Sequence, residues 1–425
     1  MSCPYAQGTA IPVAEDFQPL SLDFIRQPYG TLAELRERAP IHYLPDLDLW
    51  AITRWEDQVG AFGNFKDYSS RCVGVGPRPP EMDDVLDSEF LTKTFNAKDP
   101  PEHTVARKLA SQAFRRARVD DMGPVTARLA HELIDGFEAD GGGDLMARFC
   151  VPLAMGVMVE LLGFPPQDAH LLDGWGNDLT VLFVPKDPDA PDDQMVQPMP
   201  DAEWLERWTR LAAARAYFEE LIEERLARPT GDLISGMVHA RLEDGTTALN
   251  REHVVTHLVE FISAGKAAMA DLIAQTVILF DAQPDVLAEL RREPELWTNV
   301  CEEALRMRGN ALGLLRVAMR DVEIGGHTLP KGSRVWLLAS SANHDPEHFP
   351  EPGRFDLHRE NVGDHLAFGR GIHKCIGSPL TRVTCTEALR VLYERLPAVR
   401  PVTGQELDYE PSLLAFLLRS LAVTW

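Results

Sequence analysis

Ten residues, Phe368-Gly369-Arg370-Gly371-Ile372-His373-Lys374-Cys375-Ile376-Gly377, restrict this chain more than any other stretch of it. Glycine has no Cβ, so the three glycines allow a sharply bent backbone that can come close to something flat or bulky. The one cysteine sits between Lys374 and a helix start, and a nearby cation and a helix N-terminus both lower a thiol pKa. Past the loop, residues 379–392 carry apolar side chains at helical spacing. The pattern predicts a loop that holds a sulfur still at the mouth of a long helix.

Elsewhere the chain reads as helical with small patches of strand. Residues 29–36 start a short helix that Pro40 ends, and residues 41–44 and 49–53 flank a Pro-Asp turn as a hairpin. Helical periodicity covers 122–139 and 144–162, with Gly141-Gly142-Gly143 as a flexible break, and 322–329 reads as a Gly-Gly hairpin. Residues 70–100 read as irregular, and residues 184–202 are the most loop-like segment. Residues 250–282 form a helix of about 45 Å, capped by Asn250 and ended by Pro284. Gly265 in its middle costs about 1 kcal/mol relative to alanine, so something, a ligand or a second helix, passes close to the backbone there. No linker divides the chain, which is read as one domain, 1–425, without a fused reductase.

Charge and cysteine usage narrow the function. With 42 basic against 65 acidic residues the net charge is -23, which excludes nucleic acid as a bulk partner and disfavours anionic membranes. The six cysteines form no close pair of zinc or redox type and fit a reducing cytosol. The first residues have neither a basic region nor an apolar run, and no uninterrupted apolar segment approaches the roughly 18 residues that span a bilayer. The expectation is a cytoplasmic protein.

Phe368, Gly371, His373, Cys375 and Gly377 fill every fixed place of the pattern F-x-x-G-x-H/R-x-C-x-G, so the chain resembles the cytochrome P-450 superfamily, in its soluble bacterial form. The resemblance implies a mainly α fold with small β-sheets (α+β), with haem b lying between a long central helix and the cysteine loop. Cys375 is then the iron ligand, with Phe368 and Gly377 shaping its loop. His103, Arg107, Arg316 and His373 are the propionate contacts, of the right charge for charge-assisted hydrogen bonds. Glu303-x-x-Arg306 matches the family's structural motif, with Arg354 as the second arginine on the same glutamate. Ala264-Gly265 occupies the oxygen groove of the central helix.

The departure comes next. Most members follow with an acid and a threonine that pass protons to bound dioxygen, and here those places are Ala267 and Ala268. Three explanations stay open: protons from ordered water or another group such as Asp271; a peroxide-using or radical-coupling reaction; or an engineered replacement of threonine at Ala268. Lys266 is read as turned away or paired.

The implied function is a haem-thiolate monooxygenase. It puts one oxygen atom from O2 into a small apolar organic substrate, aromatic compounds included, by hydroxylation or oxidative demethylation. Electrons come from a separate acidic ferredoxin or flavodoxin on the basic patch Arg107, Lys108, Arg115, Arg116 and Arg118, and the chain acts as a monomer. A peroxygenase and a haem-binding sensor are the alternatives. Ala311–Leu315, Leu413–Leu418 and Phe183, Phe261 and Phe416 are candidate pocket residues, with core filling an equal reading for each.

Overall fold

The computed structural model describes Ala14 and residues 17–75, 78–86, 96–114, 119–185, 201–241 and 250–425. The chain divides into two compact units, each built from separated segments. One comprises Met1–Ser69, Thr126–Leu153 and Ala268–Trp425, the other Ser70–Val125 and Ala154–Ala267.

The first unit holds the larger sheet, whose strand order is Ile41–Leu44, Leu49–Ile52, Arg334–Leu337, Leu314–Ala318 and Tyr68–Ser69. The expected hairpin forms, with Ile41 opposite Ile52 and Leu44 opposite Leu49. Asp48 takes φ 48° in its turn and accepts a 2.6 Å bond from Tyr43 Oη, which fixes the register. Both faces of these strands are buried: Ile41, Trp50, Ile52, Val335 and Leu337 pack with Phe62 in one core. The Gly-Gly hairpin also forms, with Gly325 and Gly326 at φ 53° and 80°, the left-handed pair that a two-residue turn requires.

The glycine triplet differs from expectation. Gly142–Asp144 is a strand, paired with Ala422–Thr424 in a three-stranded sheet. The pairing uses the missing side chain, because a Cβ on Gly142 would stand 2.9 Å from the Val423 carbonyl oxygen. In the same unit the helix Ser378–Arg395, with proline in its first turn, packs against the helix Trp297–Arg308.

The second unit is mainly helical, with Glu102–Ala113, Ala169–Leu182, Asp201–Ala227 and Leu233–Val238 as its principal complete helices. Asp232 caps the last of these by accepting from Ser235 N at 2.7 Å and also pairs with Arg225. Val73–Val75, inside the stretch 70–100 read as irregular, pairs as an antiparallel strand with Phe183–Pro185, which overlaps the start of the loop-like stretch 184–202. Most of the expected loop 184–202 lies outside the described residues.

The long helix runs Arg251–Ala282, and the boundary between the units falls within it, after Ala267. Asn250 caps it, its Oδ1 accepting from His253 N at 2.9 Å. Among the described residues this helix alone has the length and composition to cross a membrane, yet 67% of its apolar window is buried in protein. Gly265 is explained by helix packing: a Cβ there would stand 2.7 Å from Met158 Sδ.

Candidate functional site

The cysteine loop is held by backbone geometry that few side chains permit. Gly369 and Gly371 adopt φ 61° and 70°, and a Cβ on Gly371 would meet the Phe62 carbonyl oxygen at 2.5 Å. Cys375 N donates to Phe368 O at 2.9 Å, closing the loop two residues before Gly377, the N-cap of the helix Ser378–Arg395. Cys375 is exposed, whereas Cys72, Cys150, Cys301 and Cys385 are buried. Burial pushes the Cys150 and Cys385 thiols well above their ordinary pKa. Among the described cysteines, only Cys375 is open to a ligand.

Beside the loop lies a charged chain that sequence reasoning missed. Arg382 sits 4.9 Å from the Phe368 ring centroid and grips Glu302 with two bonds, of 2.5 and 3.0 Å. His365 Nδ1 accepts from Ala367 N at 3.2 Å, so its proton is on Nε2, which lies 3.4 Å from Glu302. Burial alone would raise the Glu302 carboxyl, but His365 and Arg382 outweigh it and hold the group at about 2. Two adjacent glutamates, Glu302 and Glu303, were the available signal, and only the second belongs to a motif.

The Glu303–Arg306 pair forms, and the second arginine differs from the expected one. Arg306 donates to Glu303 at 2.7 and 2.8 Å, and both side chains are 0% exposed. Its remaining donors satisfy the carbonyls of Asn343, Pro352 and Arg354 at 3.0, 2.8 and 3.1 Å. The second arginine on Glu303 is Arg359, at 3.0 Å, not Arg354. Glu351, at φ 49°, turns the chain so that Arg354 offers its carbonyl inward while its side chain, 63% exposed, lies 3.6 Å from Glu351.

The expected anion-binding residues fall in both units. Arg316 is buried on the strand Leu314–Ala318, its guanidinium 5.5 Å from the Phe62 ring centroid and donating to Leu315 O at 2.7 Å. His373 ends the short turn Gly371–His373. In the second unit His103 is buried on the helix Glu102–Ala113, where desolvation first and then Arg107 lower its pKa against the pull of Asp99. Arg107 is half-buried on that helix and Lys108 is exposed, while Arg115, Arg116 and Arg118 lie outside the described residues.

On the long helix, Ala264 is exposed and Gly265, Ala267 and Ala268 are half-buried, between stretches that are wholly buried. Ala264, Ala267 and Ala268 share one face, with Gly265 on the adjoining side toward Met158, so a narrow stripe of small side chains is accessible on a core helix. Lys266 is turned away as expected, 2.7 Å from Asp173 and 2.5 Å from Asn177. Phe261 and Phe416 are core residues, Phe261 packing edge-on against Phe114. The side chain of Phe183 lies outside the described residues.

Asp271 is committed elsewhere. Its carboxylate accepts from Leu418 N at 3.1 Å and from the Gln275 and Asn310 amides, both at 3.4 Å. Asn310 in turn donates to Phe416 O at 2.7 Å and accepts from Phe416 N at 2.8 Å, so Asp271 ties the 413–418 turn to the segment before the strand Leu314–Ala318. Burial pushes the Asp271 carboxyl from 3.8 up to about 6 against these hydrogen bonds and the charge of Arg308. The folded state therefore holds this proton more tightly than the unfolded state. The contribution is whole at low pH and is lost as pH rises from about 4 through about 6, a swing on the order of 3 kcal/mol. Urea unfolding of the chain and of Asp271→Asn should show a stability difference that changes by this amount across that window and is flat above it. A difference independent of pH would refute the assignment.

These residues can be tested against a haem, a flat, mostly apolar ring with two carboxylates and an axial position for sulfur. The described residues fit it: an exposed cysteine on a loop shaped by glycines, a buried arginine beside that loop, and a helix face of small, accessible side chains.

The profile of the cytochrome P-450 family matches residues 190–396. The 6-deoxyerythronolide B hydroxylase of Saccharopolyspora erythraea is 33% identical over 383 residues, covering 87% of this chain and 89% of that protein. The cytochrome P-450 monooxygenase PikC of Streptomyces venezuelae is 32% identical, covering 99% of this chain and 96% of that one. Among solved structures, cytochrome P-450 CYP109Q5 from Chondromyces apiculatus superposes with a TM-score of 0.82 at 30% identity, covering 96% of this chain and 97% of that one.

Proposed function

This chain belongs to the cytochrome P-450 family of haem monooxygenases, and from that premise we propose that it uses Cys375 to ligate haem iron and puts one oxygen atom from O2 into a small apolar organic molecule. The observation that carries this is that Cys375, on the glycine-shaped loop, is the one exposed cysteine among the described ones. Arg316 and His373, with His103 and Arg107, hold the two propionates in this reading. Phe368 and Gly377 shape the cysteine loop, and Glu303, Arg306 and Arg359 brace it. A cysteine-ligated haem supplies the oxygen-activating chemistry, since the thiolate pushes electron density that favours O–O cleavage. The chain positions the substrate and keeps water out along the face of Ala264, Ala267 and Ala268, whose small apolar side chains suit that task, with Gly265 beside it letting Met158 approach. Hydroxylation or oxidative demethylation is the reaction, and residues 1–425 work as one cytoplasmic catalytic domain and as a monomer. Bacterial members of the family draw electrons from ferredoxins. Here an acidic ferredoxin or flavodoxin docks on Arg107, Lys108, Arg115, Arg116 and Arg118.

A second reading, peroxide as the oxidant, is favoured by one observation: among the described residues, the proton-bearing side chains of the helix turn that holds Ala267 and Ala268 are engaged elsewhere. Lys266 is held by Asp173 and Asn177, and Asp271 by three donors. A positioned proton donor is worth about 100-fold or more in rate. In Ala268→Thr, coupling of reductant consumption to product should therefore rise by at least about 10-fold, while peroxide-driven turnover falls. Unchanged coupling and peroxide use would refute a relay deficit, and absence of product in both modes would refute the enzyme reading itself.

A further inference from the structure

The accessible stripe of the long helix continues, toward its N-terminus, into a buried polar pair. At about 100° per residue, His257, Glu260, Ala264, Ala267 and Ala268 fall within about 100° of one another around the helix axis. Glu260 is 2% exposed, and among the described residues neither of its carboxylate oxygens has a hydrogen-bond partner. His257 Nδ1 lies 3.4 Å from Glu260 Oε2, a charge contact beyond good hydrogen-bond geometry. His257 stacks on Phe261, Phe261 meets Phe114 edge-on, and Ser263 Oγ is spent on the Glu260 backbone carbonyl at 3.2 Å.

A carboxylate removed from water without donors is among the costliest groups a fold can keep, and an apolar side chain would pack the same place better. The cost is recovered when a donor arrives with the ligand. A cationic donor recovers most of it, because charge-assisted hydrogen bonds are about twice as strong as neutral ones. One turn on, Ala264 is exposed, so the carboxylate stands at the buried end of an accessible apolar track.

We propose that Glu260 is a specificity-determining residue that accepts a charge-assisted hydrogen bond from the protonated amine of a substrate whose apolar body lies along Ala264, Ala267 and Ala268. This rests on the reading that this helix face is the substrate side of the haem enzyme. It narrows the substrate class from apolar molecules in general to apolar amines.

The test uses the haem-loaded full chain and three probes of similar length: N,N-dimethyloctylamine, which is protonated at pH 7; its neutral isostere 2-methyldecane; and decanoate. Affinities are read by equilibrium dialysis and by the substrate-induced shift of the haem absorption. The amine should bind about 10-fold or more tighter than the alkane, and decanoate more weakly than either. Glu260→Gln, which keeps the shape and removes the charge, should erase that preference. It should leave the thermal midpoint unchanged or higher, since a buried charge is relieved. Equal binding of amine and alkane in the unaltered chain would overturn the proposal. So would a preference that survives in Glu260→Gln, or a shift to longer wavelength marking nitrogen on the iron. Failure of the haem reading is separate, because it appears as a missing carbon monoxide band before any probe is added.

Discussion

Cys375→Ala abolishes the shifted absorption of the reduced carbon monoxide complex and takes turnover below detection, while the fold stands. The two halves of this expectation have different causes. Cys375 is exposed and fills no core, so its removal creates no cavity and should move the urea midpoint by no more than about 0.5 kcal/mol. The sulfur is nevertheless the one accessible thiol among the described cysteines, and a loop imidazole such as His373 would give a different carbon monoxide spectrum even if it reached the iron. Cys385→Ala is the informative control. Cys385 is 0% exposed within the helix Ser378–Arg395, so its loss should cost roughly 0.5–3 kcal/mol of stability and leave the band in place. The two variants therefore separate ligation from packing in opposite directions. Retention of the band in Cys375→Ala would end the assignment.

What the residues revealed in advance depends on how local the constraint is. Gly371 was legible because its φ and the approach of Phe62 are demands on one residue's own backbone. The hairpins and the capped long helix were legible for the same reason, since turn residues and caps act over a few positions. Gly142–Asp144 was not. Its partner strand is distant in the chain, and the Leu421 amide that bonds to Asp144 comes from 277 residues away. Glu260 reads in the sequence as one polar position in an apolar pattern, and only packing makes it a buried carboxylate. Gly265 lay between: the close approach could be inferred from its cost, but that the approaching atom is Met158 Sδ needed the structure.

The arginine assignment shows the same limit and carries the second large effect. Arg354 and Arg359 lie in one irregular segment, and nothing in composition selects which reaches Glu303. Removing one partner of a buried ion pair leaves the other charge uncompensated, which typically costs about 3–5 kcal/mol. Arg306→Ala takes the bidentate partner from Glu303, which is 0% exposed and is left with Arg359 and the Asp356 amide, and also strips donors from the Asn343, Pro352 and Arg354 carbonyls. A loss at or above the upper end of that range is expected, enough to exhaust the stability of an ordinary domain and to prevent recovery of haem-loaded protein. Arg359→Ala removes one of two guanidinium partners from Glu303, which keeps Arg306 and the Asp356 amide at 2.9 Å, so a loss of about 2–3 kcal/mol is expected. Arg354→Ala deletes a side chain that is 63% exposed and leaves the backbone carbonyl that does the bracing, so its effect should stay within about 0.5 kcal/mol. Urea midpoints of the three variants test the order. If Arg354→Ala were as costly as Arg359→Ala, the brace would not be built as its hydrogen bonds indicate. If Arg306→Ala were mild, Arg359 and the Asp356 amide would suffice to hold the buried Glu303 carboxylate, and Arg306 would not be the centre of the brace.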